Sequence, residues 1–421
     1  MRDGGANTSG AERRLWTREF VLLTGIQTFD LFTYNMITPV IAKYALAQGA
    51  TLAWAGVVAS VFAFVALVAR PASGFLSDRL GRKRIVMVSI AVACATQVGY
   101  AFATTLAALV ALRAVHGFFY ALFGTAISAL ALDAIPQERR SEGMGWFGTS
   151  YVFANALGPA FGVLVSDRFG FAAMFLAGAG VAAASFALGL FVRVRGNAAA
   201  ARPDNGAPSD PARSPASETP WRTPAEAKPR GIAAFVSVKS LPLALAACCY
   251  LTIWSIIATY IVLVGDERGV VGISAFFVVN SLTLLVSRPF AGRRADRRGL
   301  SAVFYPSAVF EAAAVVLIAF SQQLWLFLAA AACKALGSGT VTPSIQARCG
   351  QLEPPERSGV AMSTYLLGTD VGYALGPIIG GVVSGAFGFT AMFLAGLPIL
   401  AVGVAVYAAW AHAEKKRGAS R

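Results

Sequence analysis

Twelve runs of mainly apolar residues divide this chain, and each reaches the length of about 20 residues that a helix needs to cross a bilayer. They cover residues 19–42, 54–76, 85–104, 106–131, 143–166 and 171–193, then 237–264, 269–292, 302–321, 323–348, 359–384 and 389–411. In hydrocarbon every backbone N–H and C=O must be satisfied within the segment, so runs of this length are helices. Hydrophobic residues make up 57% of the 421 and charged residues 13%, against roughly 45–50% and about 25% in soluble domains. A water-soluble globule cannot hide so much apolar surface behind so little charge. The sequence predicts an all-α, polytopic membrane protein with twelve transmembrane helices.

One gap between the runs is long. Residues 194–232 contain Pro203, Pro208, Pro211, Pro215, Pro220, Pro224 and Pro229, seven of the chain's 19 prolines. Ser, Ala, Gly, Asp and Arg fill most of the remainder, which is too polar to build a core. The expected organisation is a cytoplasmic tail at 1–18, a six-helix bundle at 19–193, a disordered cytoplasmic linker at 194–232, a second six-helix bundle at 233–411 and a cytoplasmic tail at 412–421.

The net charge is +14, and a basic excess raises nucleic acid as a partner. The positions of the charges argue otherwise. Arg79, Arg82, Lys83 and Arg84, then Arg139 and Arg140, then Arg293, Arg294, Arg297 and Arg298, then Arg357 all lie in loops on one side of the predicted membrane. Arg13, Arg14 and Arg18 near one end and Lys415, Lys416 and Arg417 near the other join them, while the opposite loops hold only Lys43, Arg168 and Arg268. Short loops rich in Lys and Arg stay in the cytoplasm. Both termini and the linker are expected there, and the basic excess sets topology without any nucleic acid. The first 18 residues are polar and the run after them is too long for a signal-peptide core, so no cleaved leader is expected. Cys94, Cys248, Cys249, Cys333 and Cys349 lie in or beside apolar runs with no C-x-x-C pair, and read as small packing residues rather than metal ligands.

The two halves repeat. Arg70-Pro71-x-x-Gly74-x-x-x-Asp78-Arg79-x-Gly81 returns as Arg288-Pro289-x-x-Gly292-x-x-x-Asp296-Arg297-x-Gly299, a shift of 218 (288 − 70). The same shift carries Gly158-Pro159 onto Gly376-Pro377 and Glu138-Arg139 onto Glu356-Arg357, and gives 14 identities in the 21 positions of 158–178 against 376–396. Two halves of matching orientation are parallel repeats about an axis along the membrane normal.

These motifs resemble the major facilitator superfamily over essentially the whole chain apart from the tails and linker. The loop Gly74-Phe75-Leu76-Ser77-Asp78-Arg79-Leu80-Gly81-Arg82-Lys83 matches that family's signature between spans 2 and 3. Arg113 and Gly117 match the membrane-embedded arginine motif of its proton-coupled members. Gly158-Pro159-x-x-Gly162 in span 5 resembles the antiporter motif, with Ala154 and Val163 where glycines are expected, and Gly372-x-x-x-Gly376-Pro377-x-x-Gly380-Gly381 in span 11 is the fuller copy. The resemblance implies the major facilitator fold in the inner or plasma membrane, working as a monomer on a small-molecule substrate. It implies no cofactor, with a proton gradient as the source of energy. It further implies that Gly74, Asp78, Arg79, Gly81, Arg82 and Asp133 form a cytoplasmic gate. Leu300 stands where Arg82 would recur, so the second gate is expected to be weaker.

An ionisable residue in mid-span marks a functional site by default. Asp30 lies roughly 16 Å into span 1, and Gln27, Asp30 and Tyr34 share a helical face. Arg113, His116, Gly117, Tyr120 and Gly124 make a similar stripe in span 4. A carboxylate that gains and loses an arginine neighbour as helices move can bind and release a proton, so Asp30 is the expected proton carrier and Arg113 its modulator. The alternative is that each is paired locally for structure. Lys334 and Asp370 are as deep in spans 10 and 11, where they either pair with one another or contact substrate. Glu311 in span 9 is also deep, on a span that the resemblance places at the periphery. Gln27, Tyr34, His116, Tyr120 and Trp254, with Lys334 and Asp370, are the expected cavity residues, and Tyr250, Tyr260 and Tyr365 add aromatic rings. Gly158, Pro159, Gly162, Gly376, Pro377 and Gly380 are expected to bend spans 5 and 11 and let them pack closely.

An aromatic cavity with few charges suits a hydrophobic or amphipathic organic molecule. No P-loop, zinc-protease motif or nucleophile elbow occurs, so an enzyme is not expected. The leading expectation is a proton-driven exporter of small organic molecules acting by alternating access. A proton-coupled importer of a small metabolite is the alternative on the same fold, and a non-transporting receptor or enzyme is a remote third.

Overall fold

The computed structural model describes residues 15–136, 139–193, 236–354 and 357–419. The linker expected at 194–232 and most of the tail expected at 1–18 fall outside the described residues. The chain forms helices α1 (Arg18–Ile37), α2 (Ile41–Ala47), α3 (Leu52–Leu80), α4 (Arg82–Phe102), α5 (Leu106–Ala134) and α6 (Arg140–Leu190) in its first half. The second half has α7 (Leu241–Glu267), α8 (Ala275–Arg298), α9 (Ser301–Phe320), α10 (Leu324–Leu336), α11 (Ser338–Gln351), α12 (Ser358–Leu394) and α13 (Gly396–Ala419).

Local chemistry sets the ends. Thr17, Thr51 and Thr105 precede α1, α3 and α5, and each hydroxyl accepts the N–H three residues on at 3.2, 3.3 and 3.2 Å. Such caps satisfy donors that a helix start leaves open. The turns out of α3 and α8 need a left-handed residue and use Gly81 (φ 88°) and Gly299 (φ 79°). Within α6 and α12 the chain turns at Gly170 (φ 86°) and Gly388 (φ 80°). Both pairs are 218 apart (299 − 81 and 388 − 170), so the repeat governs backbone conformation as well as sequence.

Among the described residues, ten helical stretches are long and apolar enough to cross a membrane. The expected twelve differ from these ten in two places. The helix α1 is missing from the ten, since Asp30, Gln27 and three threonines dilute its apolar run. Residues 142–190 count once, at 49 residues, although at about 1.5 Å per residue they exceed twice the hydrocarbon thickness and turn at Gly170.

Helix α1 packs on α6, α3 on α5, and α6 on α4; in the second half α7 packs on α12 and α13, and α10 on α8 and α9. Contacts of α3 with α12, α6 with α8 and α2 with α7 join the halves. These joints are uneven. At the end away from the basic loops, one continuous core mixes Met36, Ile41 and Val58 of the first half with Ile257, Tyr260 and Ile261 of the second. At the basic-loop end the first half keeps a core of its own, including Phe20, Ile85, Leu130 and Phe147.

Glycines make the first joint close. A Cβ at Gly56 would collide with the Pro377 carbonyl and the Tyr260 hydroxyl, and one at Gly381 with the Leu52 carbonyl. An ionic clasp lies beside it, where Lys43 Nζ reaches Asp167 at 2.9 Å and Asp266 of the other half at 2.7 Å. Burial opposes the Lys43 charge, but hydrogen bonds to Asp266 and Asp167 outweigh it and hold the ammonium above the ordinary lysine range. Near the basic loops, by contrast, Gly74, Gly145, Gly148 and Gly292 face open space. The halves therefore meet at one end and part at the other. Gly56→Leu is expected to cost about 1–3 kcal/mol, since overpacking forces backbone shifts. The unfolding midpoint in detergent measures this, and an unchanged midpoint contradicts the close approach.

Candidate functional site

Between the halves lies a cavity of about 100 Å³, reached by residues of α1, α3, α5 and α6 on one side and α7, α8 and α12 on the other. Its walls are aromatic. Tyr34 stacks on Phe62 at 4.9 Å and on Tyr120 at 5.0 Å, and Tyr151, Trp254 and Tyr373 face the same space. The helical period explains the placement, because Arg113 and Tyr120 are seven residues apart and share a face of α5. Gly117 lies between them, where a Cβ would strike the Phe62 carbonyl, so α5 lies directly on the backbone of α3.

One end of the cavity is sealed where the halves pack. Toward the basic loops the barrier is an ion pair that crosses the halves. Arg70 of α3 grips Asp370 of α12 through Nε to Oδ2 and through Nη2 to Oδ1 at 3.1 Å. A two-pronged guanidinium–carboxylate contact is among the stronger charge pairs. Tyr151 lies in the same region and is 48% exposed. Drug-sized ligands need pockets of roughly 300–1,000 Å³, so the cavity must open to admit one.

Lys334 does not meet Asp370, although a pair between them was one expectation. Lys334 Nζ lies 3.1 Å from Glu311 Oε1, with both side chains at 1% exposure or less. The break between α10 and α11 accounts for the site. Gly337 leaves helical conformation (φ −71°, ψ −110°), and the freed Ser338 N–H donates to Glu311 Oε2 at 2.8 Å. The Lys334 ammonium also contacts Ser338 Oγ and lies 5.0 Å from the Trp254 ring. Trp254 thus separates this pair from the cavity. Glu311 is wholly buried, while Val309, Phe310 and Phe320 on other faces of α9 are exposed, as suits a peripheral span whose acid points inward.

The four remaining polar candidates of α1 and α5 are buried as well. Asp30 and Arg113 are 8% and 4% exposed, but they do not pair. Arg113 donates to the Val58 carbonyl at 3.3 Å and the Ala59 carbonyl at 2.9 Å, and its guanidinium lies 4.5 Å over the Phe62 ring. Asp30 leaves Oδ2 with no hydrogen-bond partner, as Gln27 leaves Oε1. The His116 Nδ1 and the Tyr100 hydroxyl approach to 3.4 Å. Tyr34, Arg113, Tyr120, Trp254 and Asp370 line the cavity, whereas Gln27, Asp30, His116 and Lys334 lie behind its wall.

At the expected gate, Arg82 Nη1 pairs with Asp133 Oδ2 at 2.5 Å, within the first half. Arg79 stacks over Phe75 at 4.2 Å, Gly81 makes the turn, Gly74 faces open space, and the Asp78 side chain is outside the described residues. Gly158 and Gly162 bring α6 against Asn35 and Met36 of α1, and Gly376 and Gly380 bring α12 against Ser255 and Tyr260 of α7. Pro159 and Pro377 both line the cavity. Two functional candidates were not singled out from sequence for what they do here. Arg70 stood only as a repeat position, yet it is ten residues inside the end of α3, or roughly 15 Å deep. Glu311 has a signal of the same kind, in its mid-span charge.

The family model described as Major Facilitator Superfamily matches residues 22–282 and 243–420. Among curated relatives, the Multidrug resistance protein MdtG of Serratia proteamaculans (strain 568) is 24% identical over 391 residues, covering 90% of this chain and 89% of that protein. The Inner membrane transport protein YajR of Escherichia coli (strain K12) is 23% identical over 407 residues, covering 95% and 83%. Among solved structures, the nucleoside transporter NupG aligns with a TM-score of 0.68 at 14% identity, covering 94% of this chain and 99% of that one. That likeness is one of fold.

Two outcomes are expected from the buried charges. Asp370→Asn is expected to raise the reactivity of a cysteine placed at Ser255, on the cavity wall, toward a thiol reagent from the basic-loop face by about tenfold, the effect of losing about 1.4 kcal/mol of closure. Equal rates in both backgrounds contradict a barrier at the Arg70–Asp370 pair. Glu311→Gln strands a buried ammonium and is expected to destabilise the fold by about 3–5 kcal/mol, while Glu311→Gln with Lys334→Met recovers most of it. Thermal unfolding in detergent reads both variants.

Proposed function

The chain belongs to the major facilitator superfamily, and from that premise we propose that it exports small hydrophobic or amphipathic organic molecules across the cell membrane in exchange for protons. Members of that family are transporters rather than enzymes, and the chain is a multi-pass membrane protein. The observation that carries the reading is the aromatic cavity between the halves, tightly packed at one end and held at the other by a single bidentate ion pair. A site closed at one end by packing and at the other by a breakable ion pair suits alternating access, in which the halves rock about a fixed site. The positive-inside rule supports a cytoplasmic position for the breakable barrier, and for both termini and the linker.

Asp30 supports proton coupling. It lies behind the Tyr34–Tyr120 wall with one carboxylate oxygen unpartnered, and an ionised carboxylate buried without a partner is costly. Its charge then depends on what the moving helices bring near it. Arg113 is engaged by carbonyls of α3 in this conformation, so a change in α3–α5 packing is the step that would free it toward Asp30. Closing Arg70 on Asp370 and opening the opposite joint would complete the exchange. The name MdtG, a multidrug resistance protein, supports the export direction and an organic substrate.

Asp30→Asn is expected to abolish transport driven by a pH gradient while leaving the protein inserted and folded; normal gradient-driven transport in vesicles of this variant rules Asp30 out as the carrier. Direction is read in acidified inside-out vesicles, where an exported amphipathic compound should trigger proton leakage. Absence of leakage with every compound of that kind favours import.

A further inference from the structure

Arg113 is the one cavity-lining cation whose charge the structure leaves without an acidic partner, among the described residues. Arg70 is neutralised by Asp370, and Lys334, behind Trp254, is neutralised by Glu311. Arg113 is 4% exposed, and two of its three nitrogens donate to the neutral carbonyls of Val58 and Ala59. The third, Nη1, is buried and makes no hydrogen bond at ordinary distance, with the neutral Tyr100 phenol as the polar group nearest the guanidinium from α4. Its remaining neighbours carry no acid. The Tyr100 phenol and the His116 ring lie beside it from α4 and α5, Phe62 lies beneath it, and Tyr34 is near it from α1.

A buried guanidinium with an unsatisfied N–H costs several kcal/mol unless something negative reaches it. In this conformation the chain supplies carbonyl dipoles that hold Arg113 in place but no counter-ion. We infer that the cavity is built for an amphipathic organic anion, whose carboxylate or equivalent acidic group docks on Arg113 Nη1 while its aromatic or apolar body lies along Tyr34, Phe62 and Tyr120. This narrows the substrate class and rests on the reading of the cavity as a site for organic molecules.

Once the cavity opens, the placement of these groups suits such a ligand. Arg113 lines the cavity together with the three stacked rings, so an acidic head and a flat body are matched at adjoining positions. Because Nε and Nη2 are already engaged, the head group is held at one nitrogen and the rings supply the remaining contact. Charge-assisted hydrogen bonds are roughly twice as strong as neutral ones, so charge, rather than ring area, is the feature that discriminates among similar compounds. An organic cation of the same shape meets an uncompensated positive group and is disfavoured.

Three probes of one shape test this: 2-naphthoate, 2-naphthamide and the cation 2-naphthyltrimethylammonium, bound to the purified full-length protein in detergent at neutral pH and followed by calorimetry. Naphthoate is expected to bind about tenfold more tightly than the amide, equivalent to about 1.4 kcal/mol, with the cation weakest. Arg113→Gln is expected to remove the difference between acid and amide while retaining amide binding, and Arg113→Lys to restore part of it. Equal binding of acid and amide, tighter binding of the cation, or an acid preference that persists in Arg113→Gln overturns the anion assignment and leaves the aromatic cavity reading intact. Failure of all three probes to bind overturns the assignment together with that reading. If Arg113→Gln does not fold, the comparison of the three probes on the wild-type protein still decides the outcome.

Discussion

A charge inside a membrane must be compensated, and the way each buried charge is compensated organises the centre of this protein. Arg70 and Asp370 neutralise each other across the two halves. Glu311 and Lys334 do so within the second half, with help from the N–H that a broken helix releases. Arg113 is held by carbonyls of α3, and Asp30 has an oxygen with no partner. The first pair can be broken only by separating the halves, and the second only by unpacking one bundle. That difference makes Arg70–Asp370 a barrier and Glu311–Lys334 a brace, although both consist of the same chemistry.

The packing complements the charges. Small residues let α3 and α12 touch backbone to backbone away from the basic loops, and α6 and α12 lie on α1 and α7 in the same manner in each half. Helices in hydrocarbon gain little from apolar burial against one another and rely on such close approach. Gly74, Gly145, Gly148 and Gly292, toward the basic loops, face open space instead. A molecule with one dry, interlocked joint and one ionic joint can move at the ionic joint without dismantling its core.

Much of this was legible in the sequence. Apolar runs predict membrane helices because backbone hydrogen bonding leaves no other choice in hydrocarbon, and the 218-residue shift carries through to the left-handed turns at Gly81 and Gly299 and at Gly170 and Gly388. Mid-span position identified Asp30, Arg113, Lys334 and Asp370 as charges inside the membrane. What position along a helix does not encode is the partner. Lys334 and Asp370 lie at similar depth, but depth leaves the direction of each side chain open, and the break at Gly337 frees the Ser338 N–H that helps hold Glu311 beside Lys334. Likewise Arg113 and Asp30 are both deep, yet the nesting of α5 on α3 at Gly117 sends the guanidinium to the Val58 and Ala59 carbonyls. Arg70 was hidden because a signature loop accounts for arginines as topology anchors.

In the proposed exchange the two halves pass closure between faces in response to a proton on Asp30. Distances between spin labels test it most directly, with one pair at Ala47 and Val271 on the face of the Lys43 clasp and another at Leu80 and Ser363 near the basic loops. On moving from about pH 9 to about pH 5, which spans protonation of a buried carboxylate, one distance should lengthen as the other shortens, and Asp30→Asn should hold both at a single value throughout. Distances that do not respond to pH, or that respond equally in Asp30→Asn, contradict the account.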